Sequence, residues 1–553
     1  MARSSTTSAA DLDLDRLVGR RLRVARLLAE QPLSRRLLLP RVRAAYRLDE
    51  LFALPADARA FFEIEPRPRA GAPPRRWDDQ GLPPLDGAVA RLAQDHARGR
   101  RRPSEVLADF AHAATGRDFG RATYSPFVAL DLDRAARAAA ESDARHAAGA
   151  PRSPLDGVPV VVKDEHDMVG LPNGAGTRYR TRPATTDSFV VAALRGAGAI
   201  LPARTHSTEW GMNPLGQAAH VDLPRNPYAA DRAAGGSSTG SGVAVALGLA
   251  PLALGSDGGG SIRIPASLCG IMGIKPTLGR VGRTGDIFGG GSMTAVGPLA
   301  RHTADLVELL AVIAAHPDPD DSTTSWAPAR AGTAATWRAA LGRGVRGARI
   351  GIPEGEWRDA AHPVQVACQE AVRALEAEGA RLVDVRIPHV DLAPAVGVAV
   401  IGVETMGCMT DELAAHRGAM GDELRLQLAM MSGLSAREHM LAVRTRATLR
   451  RRLARLLAGL DLLALPAAGT PAPPYLPGER AVCDDAATRA VGRFCFLANI
   501  TGLPAGSVPV GMAGGLPLGL QLVGDAWDEA SIFAGMAACE RIGLCALPPP
   551  PRA

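Results

Sequence analysis

The chain has 553 residues, 46% of them hydrophobic and 22% charged, with a formal charge of +6. That length allows a very large core or several domains, and so small a net charge gives no general case for nucleic-acid binding. Seven cysteines without a CxxC pair or metal-ligand spacing argue against a disulfide frame and for reduced thiols in a cytoplasmic enzyme.

The opening stretch MARSSTTSAADLDLDRL lacks the apolar run of a secretory signal. SRRLLLP at 34–40 has the two arginines of an export signal, but charged RVRAAYRLDEL follows where an apolar stretch is required. Leucines at helical spacing, interleaved with arginines, predict two or three amphipathic helices over 12–62. We read them as an arm packed on its own protein or on a second copy, in preference to a membrane-surface or nucleic-acid patch. EPRPRAGAPPRRWDDQGLPP at 65–84 reads as a linker. The chain thus divides into an arm with linker, 1–75, and one large domain, 76–553.

Helical patterns follow at 87–99, 103–115 and 131–148. DGVPVVVKD (156–164) is a short β-branched run bounded by turn residues, a buried strand. SFVVAALRGAGAILPARTH (188–206) predicts a helix and then a strand. Residues 240–267 predict an apolar helix and a strand ending in a glycine-rich loop. Strands are expected at 347–355 and 379–388 around a helix at 363–379, and late strands at 461–469, 507–512 and 516–524. This alternation predicts a single α/β domain. No window of about 20 apolar residues is free of charges and helix breakers, so no membrane span is expected.

Only two of the 63 basic residues are lysines, Lys163 and Lys275. A lysine in a dry site loses its proton and acts as a base, which arginine does not. Two glycine-serine loops stand out, AAGGSSTGSG (233–242) and GSDGGGSIRIP (255–265). Neither carries the GK[ST] of a phosphate loop, and no GxGxxG follows a strand, so nucleotide binding is disfavoured. Small residues before Ser261 allow successive backbone N–H groups to converge on one point, as an oxyanion hole requires. Serine needs an adjacent base, no GxSxG elbow is present, and a buried lysine is a chemical candidate for that base. DEHD (164–167) lacks a partner histidine at helical spacing for a metal site. Cys269 reads as a small buried hydrophobe, while Trp210 and Met212 suit either a pocket wall or the core.

In order and spacing, DGVPVVVKD, GGSSTGSG, LGSDGGGSIRIPASLCGIMGIKPT and NITGLPAGSVPVGM…GLPLGLQLVG resemble the amidase signature family over roughly residues 85 to 545. The resemblance implies a central mixed β-sheet flanked by helices and a Ser-cisSer-Lys triad, with Ser261 as nucleophile, Ser237 as bridge and Lys163 as base. It also implies oxyanion donors at Gly258, Gly259, Gly260 and Ser261, an acyl-site carbonyl at Gly211, and loop supports at Ser238, Asp257 and Arg263. Lys275 matches a motif position without a mechanistic role. The implied activity is hydrolysis of a small-molecule linear amide through a seryl acyl-enzyme, without metal or organic cofactor. Nucleic acid is not an expected partner, and a homodimer is left open.

Three alternatives stand beside this reading: a family esterase, the glutaminase component of an amidotransferase, and a non-catalytic protein acting through the basic arm. Three residues depart from the family pattern: Thr239 and Gly258 in the two loops, and Glu165 where asparagine is usual. A carboxylate at 165 favours the ammonium form of Lys163 unless it points away. Specificity is expected to depend on 280–297 and 396–440.

Overall fold

The computed structural model describes residues 16–45, 47–53, 65, 77, 79–83, 85–116, 124–221, 224–289, 291–328, 331–475 and 482–550. Residues 12–15, 46 and 54–62 of the predicted arm, and the predicted linker apart from 65, 77 and 79–83, lie outside these.

The strands, in chain order, are β1 (Arg16–Val18), β2 (Phe127–Leu130), β3 (Val160–Lys163), β4 (Ala203–Thr205), β5 (Leu252–Asp257), β6 (Met272–Lys275), β7 (Ala295–Ala300), β8 (Arg349–Ile352), β9 (Arg381–Asp384), β10 (Leu462–Pro466), β11 (Val482–Asp484), β12 (Ala505–Ala513) and β13 (Leu516–Val523). Among the described residues, eleven join one sheet in the order β2-β4-β3-β5-β7-β6-β12-β13-β10-β8-β9. It is mixed: β4, β3 and β5 are parallel, β10, β8 and β9 are parallel, and the strands between them pair antiparallel.

Alternate residues of the central strands serve two cores. Val160 and Val162 of β3, with Leu252 and Leu254 of β5, enter the larger one, while Val161 and Ala253 enter the other. Both faces are therefore covered, which is why these strands read as unbroken apolar runs. On the second face lie the helices Pro103–Thr115, Leu132–Ala147 and Thr239–Ala246. All eight residues of Thr239–Ala246 are buried. A Cβ at Gly240 would stand 2.2 Å from the Pro126 carbonyl oxygen, so glycine is what lets this helix sit so close.

The α/β alternation was legible, but β2, β6 and β7 were not predicted. They are short, or interrupted by residues such as Pro298 that weaken a strand signal. The stretch Val390–Cys408 is apolar and long enough to span a membrane by length and composition. Here it serves as a core helix: Ala393, Val396, Ala399 and Val400 are buried in the main core.

The described arm lies on its own protein. Leu17, Leu22, Ala25, Ala29 and Leu38 are buried together with Leu426 and Ala429 of the helix Asp422–Met431, and β1 pairs with β11. The expected linker is corrected at its end: Trp77 is buried and donates from Nε1 to the Gly344 carbonyl at 2.8 Å, and Leu82 donates to Gly342 at 2.8 Å. That piece is docked on the main domain.

Candidate active site

The three parallel strands β4, β3 and β5 deliver their carboxyl ends to one place, where ligands of α/β sheets commonly bind. Lys163 ends β3, Ser256 and Asp257 end β5, and β4 runs on into 206–213. Lys163 is fully buried. Its Nζ donates to Ser237 Oγ at 2.7 Å and to Ser256 Oγ at 2.9 Å.

Glu165 does not point away. Its Oε2 stands 2.8 Å from Lys163 Nζ with both side chains fully buried, and it accepts from Ser256 Oγ, while Oε1 accepts from Ser207 Oγ at 2.6 Å. The departure from the family pattern is thus a buried ion pair behind the lysine. Behind it stands Asp286, which burial and then the charge of Glu165 push up to about 7. Burial, followed by the charges of Lys163 and Arg204, lowers the adjacent His166 to about 3.

Ser237 follows a cis peptide bond from Gly236 and lies at the start of the buried helix Thr239–Ala246. The two serine loops meet through the backbone: Ser238 N–H donates to the Ser261 carbonyl at 3.2 Å, and Ser238 Oγ to the Ser256 carbonyl at 3.2 Å. Among the described residues, Ser261 Oγ makes no hydrogen bond, so the link from Ser237 to Ser261 is not closed here. Catalytic hydrogen bonds commonly tighten only with substrate present.

The loop after β5 is built on one buried ion pair. Arg263 donates to both Asp257 oxygens, at 3.0 and 2.9 Å, and also to Cys495 O, Gln521 Oε1 and Asn499 Oδ1. Burial raises the Asp257 carboxyl, but the Arg263 guanidinium outweighs it and holds the group well below the usual carboxylate range. Asp257 in turn accepts from the N–H of Gly260 at 2.7 Å and Ile262 at 3.1 Å. In this conformation the Gly260 N–H, expected among the oxyanion donors, is engaged by the Asp257 carboxylate. Among the described residues, the N–H groups of Gly258, Gly259 and Ser261 carry no such bond. Gly260 has φ +120, and a Cβ there would lie 2.7 Å from Cys495 Cβ, so the loop requires glycine.

Gly211 stands beside this group: an added Cβ would be 3.3 Å from Ser237 Oγ and 3.1 Å from both Glu165 Oε1 and Phe288 Cε2. Trp210 and Met212 pack in an apolar cluster with Phe288, Met406, Met409 and Met420. Both segments expected to govern specificity reach the loop, since a Cβ at Gly258 would meet Thr294 Oγ1 at 3.0 Å and Ile401 Cδ1 at 3.1 Å. Phe496, beside Gly259, was not anticipated. Ser256, Asn499 and Gln521 were also missed, although all three lie inside motifs already quoted. Ser207 and Asp286 were not singled out by any residue pattern.

The remaining candidates lie apart from this group. Asp164 pairs with Arg204 at 2.9 Å and Asp167 accepts from Asn173, so the DEHD side chains diverge. Cys269 is buried, its Sγ directed at the Ala234 carbonyl. Lys275 is buried and donates to the Pro276 carbonyl at 2.8 Å. Burial, then the charge of Arg263, lowers it to about 7. Above about 7 the folded chain holds this amine neutral while the unfolded chain still binds its proton up to about 10.4, so stability contributed here rises with pH across that window. Lys275→Met is expected to remove that rise, which thermal melts from pH 6 to 10 would register as a flatter pH profile than that of wild type.

A family model described as Amidase matches residues 121–533. A glutamyl-tRNA(Gln) amidotransferase subunit of Anaeromyxobacter sp. (strain K) is 36% identical over 454 residues, covering 77% of this chain and 90% of that protein. A fatty acid amide hydrolase of Medicago truncatula is 32% identical over 428 residues, covering 75% and 69%. Native peptide amidase from Stenotrophomonas maltophilia superposes with a TM-score of 0.71 at 28% identity, covering 84% of this chain and 98% of that one.

Proposed function

The chain belongs to the amidase signature family, whose enzymes act on amide carbon–nitrogen bonds, and from that premise we propose that it hydrolyses a linear amide through an acyl-enzyme on Ser261. The observation that carries this reading is the buried Lys163 Nζ bonded at 2.7 Å to Ser237 Oγ, beside the loop that presents Ser261.

On this reading Ser261 Oγ bonds to the substrate carbonyl carbon as its proton passes to Ser237, whose own proton passes to Lys163 Nζ. The N–H groups of Gly258, Gly259 and Ser261 stabilise the tetrahedral anion. Collapse breaks the C–N bond, and the departing nitrogen takes its proton from Lys163 through Ser237. Water then attacks the acyl carbon as its proton passes through Ser237 to Lys163, and collapse breaks the bond to Ser261 Oγ, which regains a proton by the reverse path as the carboxylic acid leaves. No step calls on a metal or organic cofactor.

The test is a panel of aliphatic, aryl and amino-acid amides combined with fluorophosphonate labelling and peptide mapping. Turnover with the label on Ser261 supports the proposal; turnover with the label elsewhere, or undiminished turnover after complete labelling, overturns it. The identity to an amidotransferase component favours one second reading, release of ammonia from glutamine for a partner protein. Glutamine as the sole amide cleaved would select it.

Glu165 is the partner that departs from the family pattern, its Oε2 2.8 Å from Lys163 Nζ. Glu165→Gln is expected to alter kcat/KM for amides while Ser261 still takes the fluorophosphonate label. An unchanged kcat/KM would show that Glu165 takes no part in the relay.

A further inference from the structure

The turn that carries Gly211 is tied on both shoulders to one distant helix. Trp210 and Gly211 both have left-handed backbone, φ 50 and 63, a conformation that is unfavourable for tryptophan and must be held from outside. On one side the buried Glu209 carboxylate accepts from the Gly421 N–H at 3.1 and 3.3 Å. On the other, Asn213 Nδ2 donates to the buried Glu423 Oε1 at 2.6 Å, and Asn213 Oδ1 accepts from Leu215 N–H at 2.7 Å. Gly421 and Glu423 stand at the start of the helix Asp422–Met431. The fit at Gly421 is close: a Cβ there would lie 2.7 Å from Glu209 Oε2 and 2.6 Å from Ala219 Cβ.

The same helix is held from its other side by the N-terminal arm. Arg425 donates to both oxygens of Glu30 at 2.8 and 2.9 Å, Arg26 pairs with Asp422 at 2.7 Å, and Leu22, Ala25 and Ala29 are buried against Leu426 and Ala429. A continuous set of contacts thus runs from the arm, through one helix, to a turn beside Ser237, whose carbonyl accepts from the Thr208 N–H at 3.3 Å. Burial pushes Glu209 up to about 7 and Glu423 up to about 8, with the Asn213 hydrogen bond working against the rise at Glu423. Glu423 thus presents Asn213 with an acceptor oxygen in either protonation state.

We propose that Glu209 and Glu423 are positioning residues for the acyl-binding turn, and that the arm, through Glu30 and Arg425, sets how well the site accepts bulky acyl groups. The proposal rests on the amidase reading above. A small acyl group makes few contacts with the turn at Gly211, whereas a large one must pack against the turn and the apolar cluster behind it. Loosening the turn should therefore act on acyl-size discrimination more than on bond making, since displacements of about 1 Å at positioning elements cost large rate factors.

The experiment uses the full-length chain and two anilides, one acetyl and one with the largest acyl group that wild type accepts. Glu423→Leu removes the acceptor for Asn213 and is expected to lower the bulky-to-acetyl ratio of kcat/KM about tenfold, mainly through KM for the bulky anilide. Glu423→Gln retains an acceptor oxygen and should recover most of that ratio. Glu30→Gln, remote from the turn, should shift the ratio in the same direction by a smaller factor, and it remains informative if Glu423→Leu does not fold. Equal losses on both anilides, an unchanged ratio in folded Glu423→Leu, or an unchanged ratio in Glu30→Gln would overturn the proposal. Failure of wild type to cleave either anilide, with Ser261 unlabelled, would instead defeat the amidase reading.

Discussion

Ser261→Ala is expected to reduce amide turnover by about 10⁴-fold or more and to abolish fluorophosphonate labelling, with a melting temperature close to that of wild type. Triad nucleophiles in serine hydrolases carry losses of about this size or greater when removed. The structural argument for an unchanged fold is direct: among the described residues, Ser261 Oγ makes no hydrogen bond, so alanine leaves no buried partner unsatisfied. Its backbone carbonyl still receives the Ser238 N–H, and the N–H groups of Gly258 and Gly259 are untouched. Any residual rate then reports binding and the oxyanion donors alone. A variant that folds and turns over amide at the wild-type rate would remove Ser261 from the mechanism.

Lys163→Met is expected to be silent in catalysis and also markedly less stable, and the two losses should separate in a double variant. Methionine fills most of the lysine volume but leaves the fully buried Glu165 carboxylate facing two serines and no cation. Removing one partner of a buried pair costs about 3–5 kcal/mol, because the remaining charge is uncompensated. Replacing both partners, as in Lys163→Met with Glu165→Gln, should restore most of the lost melting temperature and none of the activity. If Lys163 were only scaffolding, the stabilised double variant would recover turnover with its fold. Lys163→Arg offers a complementary control, since a guanidinium keeps the charge but stays protonated.

How legible was this molecule in its residues? The β-branched run at 160–163, bounded by turn residues, predicted a buried strand, and β3 lies there with both faces covered. The glycine-serine loops announced themselves because tight backbone approach and free N–H groups demand small residues in succession. Lys163 stood out because so few lysines occur.

What stayed hidden depends on contacts between distant parts of the chain. Glu165 could be named as a concern, yet its direction is set by Ser256 of β5 and by Ser207 just beyond β4, which arrive from distant parts of the chain. The engagement of Gly260 by Asp257 follows from a turn geometry that glycine-rich sequence leaves open. The short strands β1 and β11, which pair the arm with residues near 483, carry no periodicity of their own. Nor could helical spacing in the arm reveal that its apolar face belongs against Leu426 and Ala429.

One feature of the fold bears on how such an enzyme diversifies. Lys163, Ser237, Ser261 and the glycine loop before Ser261 all lie between residues 163 and 261, around the carboxyl ends of β3, β4 and β5. The side chains that crowd that loop, Ile401 and Phe496, come from helices far later in the chain. On the proposed reading, part of what surrounds the reacting groups therefore comes from stretches of gene well apart from them. Mutation at those later positions can change which amide fits while leaving Lys163, Ser237 and Ser261 in place.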